Sequence, residues 1–205
     1  MLWDMTMTET IVLASASPRR KAMFDEFAIP VEVIPADIEE VRMPDESPVA
    51  FALRLAGEKG LHVATALNHQ GRTPLVVAAD TIVVHDDRVL GKPVDADDAK
   101  RMLRLLSGKT HSVVTAWAVG RAGEDWTVDF CDTKVRFYPL SPSDIDAYVA
   151  SGECFDKAGA YAIQGRGSAL VERIEGSYSN VVGLPAGDVL RAIAARGVIH
   201  SVWKP

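Results

Sequence analysis

A chain of 205 residues, 48% apolar and 24% charged, is long enough to bury one sizeable core, and it reads as one domain over residues 11–199 between a flexible N-terminal tail at 1–10 and a C-terminal tail at 200–205. Its apolar runs are too short to cross a bilayer, its first residues lack a secretion-signal pattern, and Cys131 and Cys154 show neither metal-ligand nor disulfide spacing, so a cytoplasmic, membrane-free protein is expected. A formal net charge of −6 argues against broad nucleic-acid binding but leaves room for a compact phosphate ligand in a local basic pocket.

In chain order, residues 11–14 form an apolar run ending in Ser15-Ala16-Ser17-Pro18, where Ser17 can cap a helix and Pro18 can take its first position. This predicts a strand, a tight loop and a helix over 19–27 that buries Ala22, Met23 and Phe27, followed by a strand at 31–34. Ser47-Pro48 repeats the signal and opens a long helix to residue 66, weakened in its middle by Gly57 and Gly60 at roughly 1 kcal/mol each if exposed. Runs at 75–79 and 82–84 read as strand on either side of Asp80-Thr81, and Asp86-Asp87 marks a turn. Asp95 caps a helix to Leu106, ended by Ser107-Gly108. Strands at 111–119 and 126–137 then pair as a long hairpin, and Ser141-Pro142 opens a helix to residue 150. The remainder reads as glycine-punctuated strands with a last helix over 185–195. Strands alternating with helices, plus the hairpin, predict an α/β fold with a mixed central sheet and flanking helices.

Several residues could carry chemistry, each with a plainer reading beside it. The loop Ser15-Ala16-Ser17-Pro18-Arg19-Arg20 is either a routine cap with two solvated arginines or an anion site at a helix N-terminus. Lys59 shares helical spacing with Ala52, Leu55 and Val63, so its ammonium either snorkels to water or reaches an anion at the sheet. Asp80, at the end of an apolar run, caps a turn or awaits a proton or metal; Glu39 and Glu40 are a solvated pair unless one meets Asp80 to hold magnesium with substrate phosphates. Gly91-Lys92-Pro93 is a surface turn or a fixed charge near a phosphate. Ser107-Gly108-Lys109-Thr110-His111 lacks the upstream glycine spacing of a phosphate loop, and that reading is rejected. Asp156 to Gly165 reads as a strand-like segment ending in the amide of Gln164, and the run Ser177 to Pro185 as a loop with hydroxyls and an amide.

Taken together, Leu13-Ala14-Ser15 with Ser17-Pro18-Arg19-Arg20, Ala79-Asp80-Thr81, Gly91-Lys92-Pro93, Ser107 to His111, Lys157 to Gly165 and Ser177 to Pro185 resemble the Maf family, in family order across nearly the whole chain. The resemblance implies a Maf/ITPase-like fold and a nucleoside triphosphate pyrophosphatase that uses a divalent cation, Mg2+ or Mn2+; a homodimer is compatible with it. It implies Asp80 as the acid-base residue, Glu40 and Asp80 as metal ligands, Arg20, Lys59 and Lys92 as triphosphate contacts, and Ser15 at the pocket border. Arg19, Thr81 and Gln164 match the branch acting on dTTP and UTP, whereas the 7-methyl-GTP branch carries Trp, Gln and Glu there. A glutamine amide matches the carbonyl acceptor and N–H donor of uracil or thymine, and an arginine would repel the cationic ring of 7-methylguanine. The alternatives are a pyrophosphatase of broader specificity, accepting CTP or modified bases, and a nucleotide-binding regulator of cell division, since the family has been linked with septum inhibition.

Overall fold

The computed structural model describes residues 9–199. Residues 1–8 of the N-terminal tail expected at 1–10, and the C-terminal tail at 200–205, lie outside the described residues. Glu9 belongs to the folded part, because it forms an ion pair with Arg121.

The architecture is a seven-stranded mixed sheet with helices on both faces, as the alternation of elements predicts. Its strands are β1 (Ile11–Leu13), β2 (Val31–Val33), β3 (Leu75–His85), β4 (Arg88–Leu90), β5 (Thr110–Gly120), β6 (Thr127–Phe137) and β7 (Val171–Glu175). Their order is β2-β1-β3-β5-β6-β7, with β4 also paired to β3. β1 runs parallel to β2 and β3, while the β3–β4, β3–β5, β5–β6 and β6–β7 pairs are antiparallel.

Alternation along β3 sorts the core into layers. Val76, Ala78 and Ile82 face α2 (Pro48–Asn68), where Ala52, Leu55, Ala56 and Val63 meet them. Val77 and Ala79 face α1 (Pro18–Glu26) and α6 (Ala186–Ala195), and Val83 faces α3 (Ala96–Leu106) and α4 (Pro142–Ala150). The helix starts follow their sequence signals: Ser47 accepts from the Ala50 amide at 3.2 Å, Asp95 from the Asp98 amide at 2.8 Å, and Ser141 forms a reciprocal capping box with Asp144.

One edge of β3 changes partner along its length. Leu75 to Val77 pair with β1 and Val83 to His85 with β4, so residues 78–82 have a strand on the β5 side only. Asp80 sits in the middle of that gap.

Four expectations are corrected. The runs around Asp80-Thr81 are one uninterrupted strand, because both residues stay paired with β5 through Ala116 and Thr115. On α1 the buried residues are Met23 and Phe24, with Phe27 partly buried at the helix end, while Ala22 is exposed because the stripe that meets the core runs through the larger side chains. Residues 156–165 contain no strand; short 3-10 turns at Ala158–Ala160 and Gly165–Leu170 occupy that stretch. The run after Ser177 forms a helical turn, α5 (Tyr178–Val182), capped by Ser177 and stopped by Gly183 at φ 131°, a backbone conformation that glycine adopts without steric cost.

Candidate active site

The gap on β3 opens into a cavity of about 580 Å³ lined by Ser15, Arg19, Arg20, Glu40, Lys59, Asp80, Thr81, Lys92 and Gln164, the nine residues that the family resemblance implies for the site. Strand alternation sends the Asp80 side chain toward α2 and that of Thr81 to the opposite face. Lys59 comes from the buried face of α2, three to four residues on from Leu55 and Ala56 and therefore over the same spot on the sheet.

The centre is one ammonium between two carboxylates. Lys59 Nζ donates to Asp80 Oδ1 at 2.6 Å and pairs with Glu40 Oε1 at 2.7 Å. Lys59 and Asp80 are 9% and 6% exposed, so each charge has lost most of its water and needs the other. Of the alternatives open for Lys59, the anion at the sheet is the one found. Glu40 is different: its side chain is 55% exposed, so it meets Lys59 from the solvent side.

Arg20 holds the wall of the cavity. Its Nη1 donates to the Ala79 carbonyl and the Ser15 hydroxyl, both at 2.9 Å, its Nη2 to Thr81 Oγ1 at 2.9 Å, and its Nε to the Gly183 carbonyl at 2.7 Å. The guanidinium thus supplies the donor that a neighbouring strand would have offered Ala79. Most of its N–H groups are spent on the protein, and burial pushes its pKa below the ordinary value while nearby Asp80 opposes the shift. The side chain stays charged, since guanidinium does not deprotonate in proteins.

The loop before α1 behaves differently from its sequence signal. Ser17 has cap geometry and Pro18 takes the first helical position, but the Ser17 side chain makes no capping bond. The serine that does act is Ser15, whose Oγ accepts from the Ser17 amide at 3.2 Å. The first amides of α1 are therefore left without a side-chain acceptor at the cavity mouth.

The opposite rim is the 156–170 loop. Arg19 reaches across to Asp156 at 3.3 Å, and Asp156 also pairs with Lys157. Glu153 accepts from the amides of Arg166 and Gly167, and the Tyr148 hydroxyl accepts from the Ala162 amide at 3.2 Å; these anchors bracket Gln164, which is exposed toward the cavity. Beneath them the buried His111 and the hydroxyl of Tyr161, which lines the cavity, are 2.8 Å apart. Asp156 and Lys157 entered the sequence reading only as the start of a strand-like run and Glu153 not at all, because their partners lie across the chain or around a glycine turn that carries no periodic signal. Among the described residues, no hydrogen bond or ion pair holds the ammonium of Lys92. Ser107 to Thr110 stay outside the cavity; Ser107 Oγ accepts from the Leu140 amide, a structural turn.

The family described as Maf-like protein matches residues 10–196, a span that contains every residue lining the cavity. A relative from Geobacter metallireducens named dTTP/UTP pyrophosphatase is 47% identical over 190 residues, 92% of this chain and 97% of its own. Another of that name, from Syntrophomonas wolfei, is 48% identical over 186 residues, 90% of this chain and 96% of its own. Among solved structures, the Ham1 protein of Staphylococcus aureus shares the fold at a TM-score of 0.50 and 16% identity, covering 92% of this chain and 100% of that one. No helix among the described residues is long and apolar enough to cross a membrane.

Proposed function

The chain belongs to the Maf-like family, and on that premise we propose that it hydrolyses nucleoside triphosphates, dTTP and UTP foremost, to the monophosphate and pyrophosphate. The observation that carries the reading is the Lys59 ammonium holding Asp80 and Glu40 together in a cavity whose rim is cationic. In this reading a water attacks the α-phosphorus, Asp80 accepts its proton through the carboxylate oxygen that Lys59 leaves free, and pyrophosphate departs. Lys59 and Lys92 place positive charge where the leaving group gains negative charge. The uncapped start of α1 adds oriented amides, and Arg20 adds its field while its hydrogen bonds keep the wall in place. Gln164 and Arg19, on facing rims, read the base.

Asp80 and Glu40 also fit a divalent cation of the Mg2+ or Mn2+ type. No group of three or more potential ligands occurs among the described residues, and these ions are commonly held by one or two carboxylates with substrate phosphates completing the set. When bound, such an ion polarises phosphoryl oxygens as a Lewis acid. Two free thiols, Cys131 and Cys154, support a cytoplasmic setting, and the net charge of −6 supports a nucleotide rather than a nucleic-acid partner. A homodimer belongs to the same proposal and is tested by sedimentation.

The deciding experiment is pyrophosphate release from dTTP, UTP, CTP and 7-methyl-GTP, with and without a chelator. We expect the first two to be fastest and the chelator to stop release while leaving Tm unchanged, since the Lys59 bridge holds both carboxylates in place without a metal. Tight calorimetric binding with no pyrophosphate from any substrate would return the regulator instead of the enzyme.

A further inference from the structure

We propose that Arg54 is the positioning residue that presents Glu40 to Lys59 and Asp80, an inference that rests on the placement of Glu40 in the active site. Glu40 lies in a stretch, residues 34–47, that contains neither strand nor helix, so no regular backbone ladder fixes where its carboxylate goes. Its pairing with Lys59 nevertheless closes to 2.7 Å. Something outside the loop must hold it.

Arg54 projects from α2 five positions before Lys59 and grips the loop on both sides of its turn. Nε and Nη2 meet the two carboxylate oxygens of Glu46 at 2.8 and 2.9 Å, and Nη2 also donates to the carbonyl of Val41, the residue after Glu40, at 2.9 Å. Glu46 ties the loop to itself, since its Oε2 accepts from the Met43 amide at 3.1 Å and its backbone carbonyl accepts from Arg42 Nε at 2.7 Å. The remaining arm, Nη1, reaches Glu58 at 3.1 Å, and the Phe51 ring lies 5.6 Å from the guanidinium carbon.

The pair is screened from water, with side-chain exposures of 20% for Arg54 and 10% for Glu46, unlike the exposed pairs of the surface. A guanidinium offers its donors as a fixed planar fork, so Arg54 meets both oxygens of Glu46 and the Val41 carbonyl together; the single nitrogen of a lysine cannot reproduce that spread of three acceptors. Arg54 and Lys59 thus divide one task along one helix, Arg54 shaping the loop and Lys59 receiving the carboxylate that the loop delivers.

The test is a double-variant cycle on the full chain with Arg54→Lys, Glu40→Gln and both together, read by UTP hydrolysis, Tm and hydrogen–deuterium exchange. We expect Arg54→Lys to lower kcat roughly ten- to a hundredfold, the scale of a misplaced catalytic group. KM should stay within about twofold, because nucleotide contacts elsewhere are untouched. Amides of residues 41–46 should exchange faster, and the double variant should be no slower than Glu40→Gln alone, because a residue acting through Glu40 has nothing left to position. Glu46→Gln, which weakens the same fork from the loop side, should repeat the pattern and decides the matter if Arg54→Lys does not fold. Losses that multiply in the double variant, or a parental kcat in Arg54→Lys with Glu40→Gln slow, would overturn this inference alone. A parental kcat in Glu40→Gln would overturn the placement of Glu40 and this inference with it.

Discussion

Asp80 and Lys59 illustrate how one side chain can serve stability and chemistry together. Each is nearly buried, and each would be an uncompensated charge without the other. Asp80→Asn keeps the shape and one hydrogen-bond acceptor for Lys59 but cannot take up a proton as a carboxylate does. Turnover should fall roughly a hundred- to ten-thousandfold, the usual range for a lost general base. Binding of UTP, followed by calorimetry, should persist, and near-parental turnover would remove Asp80 from the proton-transfer role. At the far rim, Gln164 owes its place to neighbours that do not touch it directly, Glu153 and Tyr148. Gln164→Glu exchanges a donor for a second acceptor, so kcat/KM for dTTP and UTP should drop about tenfold or more. Equal values for both proteins would place the base elsewhere.

At the scale of elements, the two glycines of α2 have opposite meanings. A Cβ at Gly60 would meet the Trp126 ring at 2.5 Å, so this glycine lets the helix close on the end of the β5–β6 hairpin; at Gly57 a Cβ would meet nothing within 4 Å. Gly57→Ala should therefore stabilise the protein by about 0.5–1 kcal/mol, the helix-propensity difference, while Gly60→Ala should destabilise it by about 1–3 kcal/mol through overpacking. Thermal melts of the two variants moving in the same direction would contradict this account. The same comparison shows what a sequence can disclose. Helices with a cap, a proline and an apolar stripe were legible because their signals are local, and α3 and α4 fall where Asp95 and Ser141-Pro142 put them. The 156–170 loop and α5 were not, because their shape comes from glycine turns and from buried side-chain bonds such as Asn180 Nδ2 to the Val113 carbonyl, 67 residues away. Of the nine residues that line the cavity, seven lie within the ordered motifs and Lys59 showed in its helical spacing, whereas Glu40 sits in a stretch with no periodic signal. Arg54 was not legible: in the sequence it only interrupts an apolar run, and its partners give it meaning in space alone.

Across the whole molecule, acid stability follows from which groups fold in an unusual protonation state. Burial, reinforced by nearby His85, pushes the pKa of His111 down to about 3. In the unfolded chain it would take up a proton near 6.5, so the unfolded state binds the proton first as pH falls. The stability that depends on a neutral His111 is complete above about pH 6.5 and is lost toward pH 3, at up to about 1.4 kcal/mol per pH unit. Glu46, drawn down to about 2 by its hydrogen bonds to Arg54, adds a loss of the same sign at lower pH. His111→Gln, which can still bond the Tyr161 hydroxyl, should lose about 2 kcal/mol less than the parent protein between pH 7 and pH 5 in urea unfolding. Identical losses would show that His111 protonates as readily folded as unfolded.

The interrupted edge of β3 has a consequence for how such a site can disappear. The cavity exists because the short strand beside residues 75–77 stops and the next partner begins only at 83, with Arg20 filling the missing stitch at Ala79. Lengthening β1 by five paired residues past Leu13, opposite residues 78–82, would zip that seam shut. An insertion there could silence the protein with every one of its acidic and cationic groups still present, so the interval between strands is as much a part of the machinery as the side chains that line it.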